Sequence, residues 1–216
     1  TDTPNAVSVK KSSYLDALNF AESYTYFDGL GRKIQERQEA EGTVFAVKDY
    51  IYNNLGLITK ESLPYFSANL SKTSPTIDSA LYINYKYDAL GRVVSVTNAV
   101  GTTTNMYNDW KLTVIDVGGK SKDLYKNAYG SLVQVDEHNS LDTYSTLYNY
   151  NYLGNITKIT DALSNIRKFT YDGLGRRLTA EDLHVSSDTS YGIWTYTYDN
   201  AGNLTQTLDP NGQKVI

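Results

Sequence analysis

The 216-residue chain has no cysteine, one methionine and two histidines, and these scarcities narrow its chemistry. Without cysteine there is no disulfide, no thiolate nucleophile and no thiolate metal ligand. His138 and His184 stand in neither a His-x-x-x-His spacing nor a Ser/His arrangement, so the common zinc-hydrolase and triad signatures are missing. A Gly-x-Ser-x-Gly nucleophile elbow is missing too, and no two carboxylates are singled out by a spacing suited to glycoside hydrolysis. No apolar run approaches the roughly 20 residues that a membrane-spanning helix requires. The net charge of −4 is evenly spread, without the basic patch that nucleic acid or an anionic membrane would select. Neither a catalytic residue nor a cofactor or metal site is expected.

Tyrosine is what the chain has in quantity, with 20 residues against five phenylalanines. A ring with a hydroxyl suits half-buried positions where one end is packed and the other finds water or a partner. Strand formers dominate and alanine-rich helical runs are missing, so the composition points to β-sheet with a wet face.

The tyrosines belong to a recurring phrase. Phe169-Thr170-Tyr171-Asp172-Gly173-Leu174-Gly175-Arg176 places two rings two residues apart, then turn chemistry, then a returning strand. The carboxylate bonds the backbone ahead of it and the glycine is free to take positive φ, which predicts a β-hairpin built around a type I turn. Tyr85-Lys86-Tyr87-Asp88-Ala89-Leu90-Gly91-Arg92 repeats it, as does Thr25-Tyr26-Phe27-Asp28-Gly29-Leu30-Gly31-Arg32. Tyr196, Tyr198, Asp199 and Gly202 form a copy with asparagine in the arginine slot. Asparagine replaces the aspartate in two others, one with Tyr50, Tyr52, Asn53 and Gly56, the other with Tyr148, Tyr150, Asn151 and Gly154. A worn copy keeps Asn127 and Gly130, and Tyr107 to Leu112 is a degenerate eighth without glycine.

The motif glycines stand at 31, 56, 91, 130, 154, 175 and 202, a spacing of one supersecondary unit per repeat. The long interval between Gly56 and Gly91 is assigned to an inserted surface loop at 61–79, which carries Pro64 and Pro75 and no alternation. A second turn signal alternates with the first, at Glu39–Gly42, Asn98–Gly101, Asp116–Gly119, Asp161–Asn165 and Asp209–Gly212. Consecutive antiparallel strands joined this way add to one growing sheet, which must coil or close because sheets twist. Residues 1–23 form a weakly readable lead-in, with Ala6–Lys10 alternating like a strand and Tyr14–Phe20 read as extended chain, and 24–216 form the repeat array. The absence of an initiator methionine and a signal peptide marks the chain as an expected piece of a longer repeat protein.

Tyr-x-Tyr-Asp-x-Leu-Gly-Arg, repeated from Tyr24 to Gly212, resembles the YD repeat of RHS proteins. That family includes bacterial Rhs polymorphic toxins, the B and C components of insecticidal Tc toxins and, more distantly, animal teneurins. The wording of these copies is most similar to the Tc-toxin type. The resemblance implies an all-β fold of tandem antiparallel hairpins, forming a curved, spiralling sheet that is an open segment of a hollow shell. It also implies a secreted or cell-surface parent whose shell encloses a C-terminal toxin polypeptide, with the flanking repeats as the segment's neighbours. Nothing in the chain maps onto the aspartyl self-cleavage motif of toxin members. The competing expectation is an adhesion or glycan-binding module that uses the rings to stack on sugars.

Overall fold

The computed structural model describes residues 7–14, 20–40, 44–68, 71–76 and 78–215, with the side chains of Tyr14, Phe20 and Val215 outside the description. Among the described residues every strand pairing is antiparallel, and one 3₁₀ turn, Ser79–Leu81, is the sole helical element. The strands fall into two compact units, Thr1–Asn105 and Met106–Ile216.

The first unit begins with β1 (Val7–Tyr14) and β2 (Phe20–Phe27), paired residue for residue from Val7↔Phe27 to Tyr14↔Phe20. The start of the expected lead-in is therefore a full strand, while most of the Tyr14–Phe20 link lies outside the described residues. Next come β3 (Lys33–Glu39), β4 (Phe45–Tyr52), β5 (Ile58–Ser62), β6 (Tyr65–Ser67), β7 (Tyr82–Tyr87), β8 (Val93–Thr97) and β9 (Thr102–Asn108), within which the first unit ends at Asn105. The Glu39–Gly42 turn also lies largely outside the described residues.

The predicted inserted loop at 61–79 differs from a bare surface loop. Its first residues complete β5, and β6 then continues along the same neighbour: β5 pairs with Tyr50–Tyr52 of β4, and β6 with Phe45–Val47. The chain returns through residues 71–76 and the 3₁₀ turn, and β7 pairs back onto β5. The return strap is anchored over the sheet face carrying Gln35, Arg37 and Asp49. Thr76 N–H donates to Asp49 Oδ2 at 2.9 Å, and Arg37 donates to the Thr73 hydroxyl at 2.7 Å. Prolines and small polar residues hid this packing, because the strap is fixed by single polar contacts and not by an alternating apolar pattern.

The second unit comprises β10 (Lys111–Ile115), β11 (Ser121–Lys126), β12 (Leu132–Asn139), β13 (Asp142–Tyr150), β14 (Ile156–Thr160) and β15 (Asn165–Tyr171). It continues with β16 (Arg177–Glu181), β17 (His184–Val185), β18 (Ile193–Tyr198), β19 (Leu204–Leu208) and β20 (Lys214–Val215). Successive strands pair as hairpins, and the detour of the first unit recurs: β16 and then β17 pair with successive parts of β15, and β18 pairs back onto β16.

Apolar burial is thin, as a sheet with wet surfaces requires. In the first unit Phe45, Val47, Tyr50 and Tyr82 are buried, but the largest side chains with almost no exposure are Arg37 and Gln35. Asp49 is fully buried as well, accepting from Gln35 Nε2 at 2.7 Å and from the Tyr65 hydroxyl at 2.8 Å. In the second unit Ile166 of β15, Ala180 of β16 and His184 of β17 are buried.

Candidate functional site, a ladder between successive hairpins

Each motif turn has one geometry. In Asp88–Arg92, Asp88 N–H donates to the Arg92 carbonyl at 3.0 Å and Gly91 N–H donates to the Asp88 carbonyl at 3.0 Å. Asp88 Oδ1 accepts from the N–H of Leu90 at 2.9 Å and of Arg92 at 3.0 Å, while Oδ2 takes the Arg92 Nε–H at 2.7 Å. Gly91 has φ 78°, and the strand register slips between Lys86 and Tyr87. This is a type I turn followed by a left-handed residue that makes a bulge. The predicted glycines Gly31, Gly56, Gly130, Gly154, Gly175 and Gly202 all take φ between 75° and 89°.

Asp28 and Asp172 repeat the side-chain pattern, each taking its arginine's Nε–H at 2.6–2.7 Å, from Arg32 and Arg176. The arginine N–H, then the guanidinium, holds the Asp88 and Asp172 carboxyls below the ordinary carboxylate range, against the opposing effect of desolvation. Asn53, Asn127 and Asn151 keep the two Oδ1 acceptances, which is why asparagine is tolerated there. In the Asp199 turn the asparagine in the arginine slot, Asn203, takes over the Oδ2 contact at 2.9 Å.

The second turns use the same geometry at Asp116, Asp161 and Asp209. Ser164 replaces the glycine in one of them and takes φ 65°. The degenerate Tyr107–Leu112 copy closes more tightly, with Asp109 at φ 51°.

The sequence did not show how one hairpin addresses the next. In four motifs the second ring donates its hydroxyl to the first strand residue after the preceding turn: Tyr52 to the Lys33 carbonyl at 2.7 Å, Tyr87 to Ile58 at 2.6 Å, Tyr150 to Leu132 at 2.6 Å and Tyr171 to Ile156 at 2.8 Å. Asn105 serves the same purpose toward Val93, at 3.0 Å. Burial raises the phenol pKa of Tyr52, Tyr87 and Tyr150, keeping each one a donor. The arginine slot adds a second link, as the Arg32 guanidinium lies 4.7 Å from the Tyr52 ring centre and Arg176 4.9 Å from that of Tyr198. Phe169 is flanked by Arg167 at 5.4 Å and Arg177 at 5.1 Å. The side chains in the arginine slot also lie against the next turn's glycine, with Asn155 against Gly175 and Arg176 against Gly202.

The motif residues thus form a continuous set of links inside each unit, without converging on a pocket. Tyr85, Tyr148 and Tyr196 lie on strands of the ladder, with the Tyr85 hydroxyl 3.4 Å from Glu61. Among the described residues no group of three or more His, Asp or Glu side chains is placed to hold a metal ion. No described helix is long and apolar enough to cross a membrane.

Comparison with known families matches this pattern directly. A family described as RHS Repeat matches residues 150–182, which contain the motif turns at Asn151 and Asp172, and 186–214, which contain the one at Asp199. A domain of unknown function (DUF6443) matches residues 1–108, half of the chain. The chain is an RHS-repeat protein carrying a DUF6443 domain. Comparison with curated proteins found no match.

Among solved structures, the RHS-repeat chain is similar over 88% of its length to TcdB2–TccC3 without its hypervariable C-terminal region, at TM-score 0.60 and 15% identity, covering 12% of that chain. It is similar over 94% to the Photorhabdus luminescens Tc holotoxin pore with a mutated TccC3, at TM-score 0.61 and 16% identity, covering 13% of that chain. The TcdB2–TccC3–Cdc42 structure matches over 90%, with the same TM-score of 0.61 and 16% identity, again covering 13%. At these identities the likeness is one of fold, and the RHS-repeat chain spans only about an eighth of the matched chains, 12–13%.

Proposed function

We propose that this RHS-repeat chain is a non-catalytic wall segment of a shell that encloses a C-terminal toxin polypeptide in a secreted, toxin-type parent. The ladder carries this reading: the Asp or Asn, Gly and Arg positions shape their own turns, and Tyr52, Tyr87, Tyr150 and Tyr171 fasten one hairpin to the one before. Such links favour a sheet that extends by accretion, which is what a wall requires. The Tc-toxin structures, whose fold the chain shares, support the same reading. Electron microscopy of the full-length parent tests it. A hollow particle with density inside is expected, and a solid rod or an open scaffold would overturn it.

A second reading, glycan contact at a cell surface, is favoured by one observation. Trp110, Tyr129 and Tyr152 sit at alternate turn tips of the second unit with 60%, 93% and 89% exposure. Flat, rigid rings at such tips are suited to stacking on sugars. A glycan array probed with the chain, and then with a Tyr129→Ala/Tyr152→Ala variant, would show ring-dependent binding if that reading holds.

A further inference from the structure

The detour between β16 and β18 is held by a histidine whose two ring nitrogens both face acceptors. His184 Nδ1 lies 2.9 Å from the Val185 carbonyl oxygen, and Nε2 lies 3.0 Å from Glu181 Oε2. A carbonyl has no proton to give, and an ionised carboxylate has none either, so both contacts are hydrogen bonds only if the imidazole carries two protons. The side chain is only 4% exposed. The Tyr191 ring closes the site from the detour itself, stacked at 3.7 Å between centres and 5° from parallel. Its hydroxyl lies 3.3 Å from the other Glu181 oxygen, so Glu181 draws in both the histidine and the residue stacked on it.

The surrounding charges are consistent with a cation at this point. Glu181 belongs to β16, and Asp182, Asp188 and Tyr191 to the detour. From β15, Arg167 is turned to the Glu181 backbone carbonyl at 2.7 Å, and Lys168 is exposed. Asp182 is engaged by the Trp194 indole of β18 at 3.2 Å. The neck of the detour is one backbone bond, from Asp182 N–H to the Gly192 carbonyl at 2.8 Å, and its far side is tied by Asp188 N–H to the Val185 carbonyl at 3.0 Å.

We infer that His184 is a pH-operated latch, which holds residues 182–192 against the sheet while doubly protonated and loosens them when one proton leaves. Deprotonation sets a nitrogen lone pair against an oxygen in a closed site, and the other ties from the detour to the sheet are β17's two paired residues, the Asp182–Trp194 bond and the Tyr191–Glu181 bond. The Glu181 contact, followed by the Val185 carbonyl and the charge of Asp188, holds His184 above its ordinary value while burial opposes them. A raised folded pKa means that the latch is complete below about pH 6.5 and is lost as pH rises through the folded value.

Nuclear magnetic resonance of the 216-residue chain, with the two histidines distinguished by a His138→Gln variant, tests this. Both His184 ring nitrogens should carry protons at pH 6, with a midpoint above about 6.5. Hydrogen-exchange protection of the Asp182 and Asp188 amides, corrected for intrinsic pH dependence, should fall as that midpoint is passed. The limiting loss is tenfold for each unit separating the held and released pKa values. Glu181→Gln should move the midpoint down, and His184→Gln should abolish the pH dependence of protection. A midpoint at or below 6.5, or protection unchanged across the titration, would overturn the latch, and both are read on the unmodified chain even if a variant does not fold.

Discussion

Gly175 and Ser164 occupy the same left-handed slot in two turns of one unit, at φ 80° and 65°, and substitutions in opposite directions should have opposite effects. Gly175→Ala forces a residue with a Cβ into that conformation, at a cost of about 1–2 kcal/mol. A Cβ there would lie 3.1 Å from Asn155 Nδ2 and 3.7 Å from Leu153 Cδ1, so the Asn155 amide has to give way by a few tenths of an ångström. Together these bring the expected loss to about 1–3 kcal/mol, with alanine's smaller unfolded-state entropy returning about 0.4–1. Ser164→Gly relieves the same strain and forfeits the same entropy, so the net gain is about 0–1.6 kcal/mol. At Gly91 the nearest atom, Leu57 Cδ1, is 3.7 Å away, so Gly91→Ala should show the backbone cost alone. Urea unfolding gives each free energy from midpoint and slope, and because Gly175 and Ser164 share a unit, one transition reports both. An unchanged midpoint in Gly175→Ala, or a Ser164→Gly loss as large as that of Gly175→Ala, would refute the assignment of strain to this slot.

Three further outcomes are expected. Tyr171→Phe removes one rung of the ladder and should cost about 0.5–1.5 kcal/mol; combined with Tyr150→Phe, whose acceptor lies on a different strand, the losses should add in the same urea assay. Asp49→Ala strands Gln35, Tyr65 and the Thr76 amide in a buried site and should destabilise the first unit by about 3–5 kcal/mol, seen as a lower melting temperature. The turn aspartates, with folded pKa values below the ordinary range, contribute stability that is in place above about pH 4 and is lost as pH falls through those lower values. Asp172→Asn keeps an Oδ1 acceptor and should reduce that acid dependence while perturbing neutral-pH stability less than Asp172→Ala, measured as urea midpoints from pH 3 to 7.

The hairpins were legible because their determinants are local: an aspartate and a glycine three apart decide the turn, and the slot survives replacement by asparagine at 53, 127 and 151. The ladder was only half legible. Twenty tyrosines announce hydroxyls in need of partners, yet the partner of Tyr52 is a carbonyl 19 residues away, and no side-chain pattern marks a backbone oxygen. The Asp–Arg ion pair inside the turn was not legible, because the phrase sets the two residues four apart without showing that the turn brings the guanidinium back onto the carboxylate. Of the two equivalent detours, the first drew notice through its length and prolines. The second, at 182–192, stretched the interval between Gly175 and Gly202 by only a few residues, and its single buried histidine looked like an isolated one.

The rungs of the ladder also have a direction. Tyr52, Tyr87, Tyr150 and Tyr171 all reach toward the N-terminus, to a carbonyl in the hairpin made just before. A hairpin emerging from the ribosome therefore finds its acceptor already synthesised and in place, and no hairpin must wait on its rung for one still to come. Each addition closes a short loop, which keeps folding local and limits the time that a bare sheet edge is exposed to other nascent chains. A long β-structure assembled in that order resembles masonry laid course by course, with the mortar on the underside of each new brick.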